Sequence, residues 1–110
     1  MLPPQHRINH SDDFRRLFRR GKKHSTPLGL IATAPTEGVS RLGVVVSKAV
    51  GGAVVRNLVK RRVRSAFKIL LPDLAPLDVV VKASPGAHEL SFNQILEMMS
   101  TALAPAKASS

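Results

Sequence analysis

The sequence predicts a small α+β domain, and three observations lead to this fold class. Three segments carry apolar residues at the three- and four-residue spacing of an amphipathic helix, at about residues 11–20, 53–71 and 91–103. Three others are short apolar runs bounded by turn residues, as strands are, at about residues 28–34, 42–47 and 78–83. A length of 110 residues suits one domain with a single core, so we treat residues 1–110 as one unit.

The chain is strongly basic, with a formal net charge of +10 and a pI near 11.5. Its 44% hydrophobic content fits a globular protein rather than a disordered basic tail. Of the 17 Lys and Arg residues, 15 lie between Arg7 and Lys68, so the charge is concentrated in the first two thirds of the chain. Such a distribution favours nucleic acid or an anionic membrane surface as the partner.

The composition also argues against several classes of protein. Because there is no cysteine, disulfides and thiolate metal sites are excluded, which suits the reducing cytoplasm where we expect the protein to act. No apolar run approaches the roughly 18 to 20 residues that span a bilayer. The N-terminus lacks the apolar segment of a secretory signal, so none is expected.

The N-terminal part predicts an arm followed by a helix. Residues 1–10 carry two prolines and no periodicity, so we expect an extended, mobile arm. Ser11 is a suitable N-cap, and Gly21 is a suitable residue to end the helix. Phe14 and Phe18 share one face of this helix. Core packing is the simpler explanation of the two rings, and the functional alternative is that one edges a groove where a base stacks.

The strand segments have different expected roles. Residues 22–26 are basic and predict either a short edge strand or a loop. The segment 28–34 predicts a strand. The segment 42–47 predicts a second strand, antiparallel to the first and central, because its three consecutive valines are apolar on both faces. The segment 78–83 follows a helix and is therefore a candidate for parallel pairing.

The C-terminal part predicts one more helix. Ser91 and Gln94 have the spacing of a capping box, in which each side chain bonds the backbone of the other residue. Phe92, Ile95 and Met99 share one face of the helix and are expected to belong to the core. Residues 104–110 are expected to be disordered.

The longest predicted helix, about residues 53–71, is the main candidate for function. No acidic residue lies between Glu37 and Asp73. At about 100° per residue, the apolar side chains of this helix fall in one arc. The opposite arc contains Asn57, Lys60, Arg61, Arg64 and Lys68, with Arg56 at its edge. Arg62 falls on the apolar side, where its stem would have to lie along the packed surface.

An unbroken cationic face predicts a polyanionic partner. Solvated helix faces normally mix charges, because like charges four residues apart repel each other. Here Lys60 with Arg64, and Arg64 with Lys68, are such pairs without an acidic neighbour. Arginine offers planar, bidentate contacts to phosphate, and Asn57 can meet a sugar hydroxyl or a base edge.

No catalytic or metal site is predicted for the protein itself. The four histidines lie in different elements, the seven carboxylates are dispersed, and no serine has a G-x-S-x-G surrounding. With neither Tyr nor Trp, an aromatic platform for single-stranded RNA is disfavoured. Duplex DNA and membrane surfaces are the weaker alternatives, since no helix-turn-helix or zinc-finger spacing and no interfacial Trp is present. We expect neither as a partner.

The central segment, residues 47–67 (SKAVGGAVVRNLVKRRVRSAF), resembles the signature of the protein subunit of bacterial ribonuclease P. In that family a Ser-Lys pair, a glycine and Ala-Val precede Arg-Asn-x-x-Lys-Arg-x-x-Arg. Residues 13–21 (DFRRLFRRG) resemble the first helix of the family, and residues 41–44 (RLGV) resemble the start of its central strand. The resemblance covers about residues 7–103.

The resemblance implies a fold and an activity. The fold is an α-β-β-β-α-β-α two-layer sandwich with a left-handed βαβ crossover, of the class named ribosomal protein S5 domain 2-like. In this family the RNA subunit is the catalyst and uses Mg²⁺ to remove the 5′ leader of precursor tRNA. The implied partners of the protein are therefore ribonuclease P RNA, bound one to one, and precursor tRNA. A dimer of the free protein is left open.

The resemblance also assigns candidate site residues. The RNA-binding set is Lys48, Arg56, Asn57, Lys60, Arg61, Arg62, Arg64 and Lys68. The leader cleft would be bordered by Phe14 and Phe18, with Arg15 beside them. Two departures from the family pattern are Ala49, where a second Lys is frequent, and Ala32, near the place of an aromatic residue that some members present to the leader. Electrostatic contacts should therefore dominate more here than in relatives that carry the aromatic residue.

A second class of function remains open at this point. A structural RNA-binding protein, such as a ribosomal component of the same fold, would share the charge and the basic helix. It would not stimulate processing of a tRNA precursor.

Overall fold

The structure, a computed structural model, describes residues 4–8 and 11–106. Its helices are α1 (Ser11–Arg20), α2 (Ala53–Leu70) and α3 (Phe92–Leu103). Its strands are β1 (Lys22–Thr26), β2 (Gly29–Pro35), β3 (Arg41–Val45) and β4 (Leu77–Ala83). The α-β-β-β-α-β-α order and the α+β class are thus confirmed, and residues 22–26 form a strand rather than a loop.

The four strands form one mixed sheet in the order β1-β2-β4-β3. β4 pairs antiparallel with β2 and parallel with β3, as was predicted for a strand that follows a helix. The predictions that β3 pairs with β2 and occupies the centre are wrong. Val79, Val80 and Val81 of β4 are fully buried, so it is β4 that takes the central position, apolar on both faces.

Helices cover both faces of this sheet. On one face, α2 and α3 form the main core with side chains such as Ile31, Val79 and Val81. On the other face, Leu17 of α1 packs against Ala32 and Val80. Because neighbouring residues of a strand alternate between faces, Val79 and Val80 belong to different clusters. The sheet therefore separates α1 from α2.

Local sequence explains the two C-terminal helices. α2 buries one face, which consists of Val59, Val63, Ala66, Phe67 and Leu70. α3 begins with the predicted capping box: the Gln94 backbone N–H donates to Ser91 Oγ at 3.1 Å, and the Ser91 N–H donates to Gln94 Oε1 at 2.8 Å. Both bonds satisfy amide groups that would otherwise lack partners at the start of a helix.

Both terminal segments are more ordered than predicted. Residues 4–8 are not a mobile arm, because Ile8 donates its backbone N–H to the Leu42 carbonyl at 2.9 Å and its side chain is buried. The His6 ring nitrogen Nδ1 lies 2.7 Å from the Ser40 carbonyl oxygen. At the other end, Ala104–Ala106 continue α3 as a 3₁₀ turn instead of being disordered. The rest of the predicted arm and tail, residues 1–3, 9–10 and 107–110, lies outside the described residues.

Candidate RNA-binding surfaces

The first candidate surface is one side of α2, which we call the α2 cationic flank. It consists of Arg56, Asn57, Lys60, Arg61, Arg64 and Lys68. Three side chains, those of Asn57, Arg61 and Lys68, are exposed, and the other three are half-buried. Within residues 4–8 and 11–106, none of its cations forms an ion pair with a carboxylate. The flank is therefore an uncompensated positive surface, as the sequence predicted.

Arg56 adds a specific reason to expect an anion on this flank. Its Nε atom is buried and has no hydrogen-bond partner in the part of the chain that the structure describes. A buried donor without an acceptor costs about 1–3 kcal/mol, and nearly all such groups in proteins are satisfied. A small movement of the half-buried Arg56 side chain that exposes Nε would let a phosphate oxygen supply the missing acceptor.

Lys48 lies in the turn that leads into α2, and its side chain is exposed. The Gly51 N–H donates to the Lys48 carbonyl at 3.2 Å, which closes this turn. Gly51 has a φ of +157°, and a methyl group there would lie 2.8 Å from Val55 Cγ1. The glycine thus lets the turn pack closely against the first turn of α2, which keeps Lys48 next to the start of the helix.

Arg62 is not part of the flank. Its Nη1 donates to two backbone carbonyls, those of His88 at 3.0 Å and Leu90 at 2.8 Å. The sequence predicted that this residue lies on the apolar side of α2 with its charged end in water. In the structure the charged end is bonded to carbonyl oxygens of the protein instead. Arg62 therefore joins α2 to the segment before α3. Since α2 contacts β3 whereas α3 contacts β2, the flank, on the side of α2 away from Arg62 and α3, lies toward the β3 edge of the sheet.

The second candidate surface is an open groove of about 600 Å³ beside α1, which we call the α1 groove. It is lined by Phe14, Arg15, Phe18, Arg19, Val45 and Lys82. All three residues predicted for the leader cleft are among them. The groove is apolar at its base and carries cations at its rim, a combination suited to bases and phosphates of a single strand.

The two sheet residues that line the α1 groove, Val45 and Lys82, belong to a row that continues across the sheet, and we call this row the groove floor. Register pairs Ser25 with Leu30, Leu30 with Lys82, and Lys82 with Val45, one residue from each strand. Side chains paired in this way lie on the same face. Ala32, two residues after Leu30, is fully buried beneath α1. Leu30 rather than Ala32 is therefore the β2 residue on the groove floor.

An ion-pair network holds α1 in place over the sheet. Arg41 of β3 makes a bidentate contact with the buried Asp78 of β4, with distances of 3.0 and 2.8 Å. From α1, Asp13 lies 3.6 Å from Arg41, and Arg16 lies 3.7 Å from Asp78. The hydrogen bond to Asp78 raises the pKa of the Arg41 guanidinium above its ordinary value, although burial opposes the shift.

Comparison with known proteins identifies the family. A family profile described as Ribonuclease P matches residues 2–107. The ribonuclease P protein component of Streptomyces avermitilis is 42% identical over 114 residues, covering 94% of this chain and 93% of its own. The chain belongs to the ribonuclease P protein family. It is thus the protein component of a holoenzyme whose RNA performs the catalysis, and the ribosomal-type alternative is not favoured.

Solved ribonuclease P proteins share the fold. The structure of the Staphylococcus aureus RNase P protein has a TM-score of 0.80 at 29% identity, covering 91% of this chain and 94% of that one. The Thermotoga maritima RNase P protein has a TM-score of 0.79 at 26% identity, covering 93% and 98%. The fold class that the sequence motifs implied is therefore confirmed.

Sequence reasoning missed five residues of the α1 groove and its floor. Arg19, Val45 and Lys82 line the groove, and Leu30 and Ser25 continue its floor. Arg19 could have been found, since it lies four residues after Arg15 on the same helix face. The strand residues could not, because their shared face follows from the position of β4 between β2 and β3.

Two further features are absent from the described residues, a metal-ligand cluster and a membrane-spanning helix. No group of three or more His, Asp or Glu side chains within residues 4–8 and 11–106 is placed to hold a metal ion. None of the helices in that part of the chain is long and apolar enough to cross a membrane. The candidate site is thus made of two surfaces for binding, on either side of the sheet.

Proposed function

We propose that the α2 cationic flank and Lys48 bind ribonuclease P RNA, while the α1 groove binds the 5′ leader of precursor tRNA. One protein binds one RNA subunit in the bacterial cytoplasm. The observation that carries this proposal is the uncompensated flank of α2, with the buried Arg56 Nε lacking an acceptor. Arg62 is left out of the RNA-binding set because its guanidinium already bonds two carbonyls.

The physical role of the protein follows from its charge. The two RNAs repel each other through their phosphates, and a protein of net charge +10 between them lowers that repulsion. Mg²⁺ acts through the RNA subunit, where it supplies the chemistry of cleavage. Without the protein, more Mg²⁺ is needed for the same screening.

A cleavage assay at low Mg²⁺ tests the proposal. Precursor tRNA is incubated with a bacterial ribonuclease P RNA, with and without this protein, and with the protein alone. We expect strong stimulation by the protein and no cleavage by the protein alone. No stimulation, together with tight binding to other structured RNA, would instead support a structural RNA-binding role. Cleavage by the protein alone would reveal an active site in the chain.

Salt dependence tests the electrostatic part separately. If about six cations meet phosphates, the logarithm of the affinity for the RNA subunit falls with the logarithm of salt concentration by roughly 0.7 to 0.9 per contact. A slope near zero contradicts the proposed use of the flank. Light scattering of the protein without RNA, at the same salt concentrations, reports whether the free protein dimerises.

A further inference from the structure

The groove floor crosses the whole sheet, whereas the residues that line the α1 groove itself belong only to α1, β3 and β4. From Val45 the row continues through Lys82 and Leu30 to Ser25 of β1. Four strands about 4.8 Å apart make this floor about 14 Å long. The floor therefore has one half at β3 and β4, inside the groove, and a second half at β2 and β1, which continues from it on the same face of the sheet.

α1 forms a wall along both halves. Its start lies at β3, where the Phe14 ring approaches Gly43. Its end lies at β2, where a methyl group on Gly21 would come within 2.8 Å of the Thr33 carbonyl oxygen. The chain then enters β1 at Lys22. A single strand of RNA that lies along α1 and starts at the β3 end would therefore reach β1.

The two lysines at the start of β1 face opposite sides of the sheet. Lys23 pairs with Ala32, which lies under α1, so Lys23 is on the face of the α1 groove. Lys22 pairs with Thr33 and lies on the other face, beside α3. Both side chains are exposed, and no carboxylate within residues 4–8 and 11–106 forms an ion pair with either.

The two ends of the groove are not equivalent. At the β3 end, the chain continues from Val45 through Ser47 and Lys48 into α2, whose cationic flank lies toward the same sheet edge. A leader held with its cleavage site near the RNA subunit therefore enters the groove at β3. The β1 end is the one farthest from that subunit, and it can meet only nucleotides farther from the cleavage site.

We infer that Lys23, with Ser25 beside it on the floor, forms a distal leader site at the β1 end of the α1 groove. Its ligand is the phosphate backbone of single-stranded RNA, in the part of the leader farther from the cleavage site. Ser25 offers a hydroxyl to a phosphate or ribose, and the Lys23 ammonium supplies charge without base recognition. This inference rests on the proposed binding of the leader in the groove.

The neighbouring lysines provide a matched pair of variants. Lys23→Glu and Lys22→Glu make the same change in charge at two exposed positions of the same edge strand, but on opposite faces of the sheet. Each variant is assembled with ribonuclease P RNA, and its affinity for three RNAs is measured. The RNAs are mature tRNA, a short-leader precursor and a long-leader precursor. The wild-type protein sets the two lengths: the short leader is the shortest one that improves binding over mature tRNA, and the long leader is the length at which affinity stops rising.

We expect Lys23→Glu to weaken binding of the long-leader precursor about two- to fivefold, the range of an exposed charge contact, and to lower its salt slope by about 1. Binding of the short-leader precursor and of mature tRNA stays at the wild-type value, and Lys22→Glu behaves as wild type with all three RNAs. Circular dichroism with thermal unfolding checks that both variants fold.

Two outcomes would overturn the distal site. One is equal weakening by both variants, which would mean that only net charge matters. The other is a Lys23→Glu variant that binds the long leader as the wild type does, or that loses affinity equally for short and long leaders. Failure of the underlying leader proposal would look different, since the wild-type protein itself would then fail to distinguish precursor from mature tRNA.

Discussion

The ring of Phe14 lies so close to Gly43 that a methyl group on residue 43 would stand 2.5 Å from Phe14 Cε1. The contact joins α1 to β3 and places an aromatic ring at the β3 end of the α1 groove. It also involves Ile8, whose Cβ would lie 3.3 Å from the same methyl group. The absence of a side chain at residue 43 thus sets how deeply Phe14 is seated.

Gly43→Ala should therefore disturb both stability and leader binding. Because the added methyl displaces the Phe14 ring, we expect a loss of about 1–3 kcal/mol in the free energy of unfolding, as for other overpacked cores. The preference for precursor over mature tRNA should fall as well. Urea unfolding and paired binding measurements check the two effects. Gly52→Ala is the steric control, since a methyl there meets no atom within 4 Å, and only a small loss from weaker N-capping of α2 is expected. Equal unfolding energies for both variants would contradict this account.

The Arg41–Asp78 pair gives a second prediction. Asp78 is buried, so Arg41→Met leaves a carboxylate without its main partner and should cost about 3–5 kcal/mol in unfolding free energy. The double variant Arg41→Met with Asp78→Leu should recover most of this loss, because it removes both charges. Chemical unfolding of the single and double variants measures the coupling. Simple addition of the two single losses would show that the pair is not a unit.

Substitutions on the α2 cationic flank should act on affinity alone. Arg61→Ala and Arg64→Ala each remove a phosphate contact, so each should lower the salt slope for binding the RNA subunit by about 1. The position of the cut in precursor tRNA should not change, since the RNA selects it. Filter binding at several salt concentrations and sizing of the cleavage products check the prediction, and a shifted cut site would contradict it.

Arg62 should behave in the opposite way. Arg62→Met removes the bonds to the His88 and Leu90 carbonyls, and we expect it to lower the free energy of unfolding by about 1–3 kcal/mol. The salt slope for RNA binding should remain that of the wild type. Measured beside Arg61→Ala, this variant separates fold-stabilising from RNA-binding arginines in one motif. A slope reduced by the same amount would return Arg62 to the RNA-binding set.

Local patterns predicted the elements of this fold well, because their causes lie within a few residues. The capping box of Ser91 and Gln94 and the buried face of α2 both follow from helical periodicity. The order of the strands in the sheet could not be predicted from such local patterns. Each of the two strands is associated with three consecutive valines, 44–46 across the end of β3 and 79–81 within β4, and only packing against α2 and α3 decides which strand becomes central.

The candidate site was predictable to a similar degree. Helical spacing alone predicted that the cations of the α2 cationic flank lie on one side of the helix. It could not show that Arg62 meets the carbonyls of His88 and Leu90, which lie 26 and 28 residues further along the chain. Nor could it reveal the groove floor, because Leu30, Val45 and Lys82 come together only through pairing between distant strands.

The central position of β4 has a consequence for how the protein is made. During synthesis, the ribosome releases β1, β2, β3 and the whole of α2 before Leu77–Ala83, the strand that lies between β2 and β3 and joins them. Pairing between strands so far apart in the chain requires closure of a large loop, which costs conformational entropy before any stabilising contact has formed. The nascent chain therefore already contains all residues of the basic helix α2 at a stage when only β1 and β2 can pair, as a hairpin. A version of the protein shortened from the C-terminus must extend through Ala83 to form the four-stranded sheet.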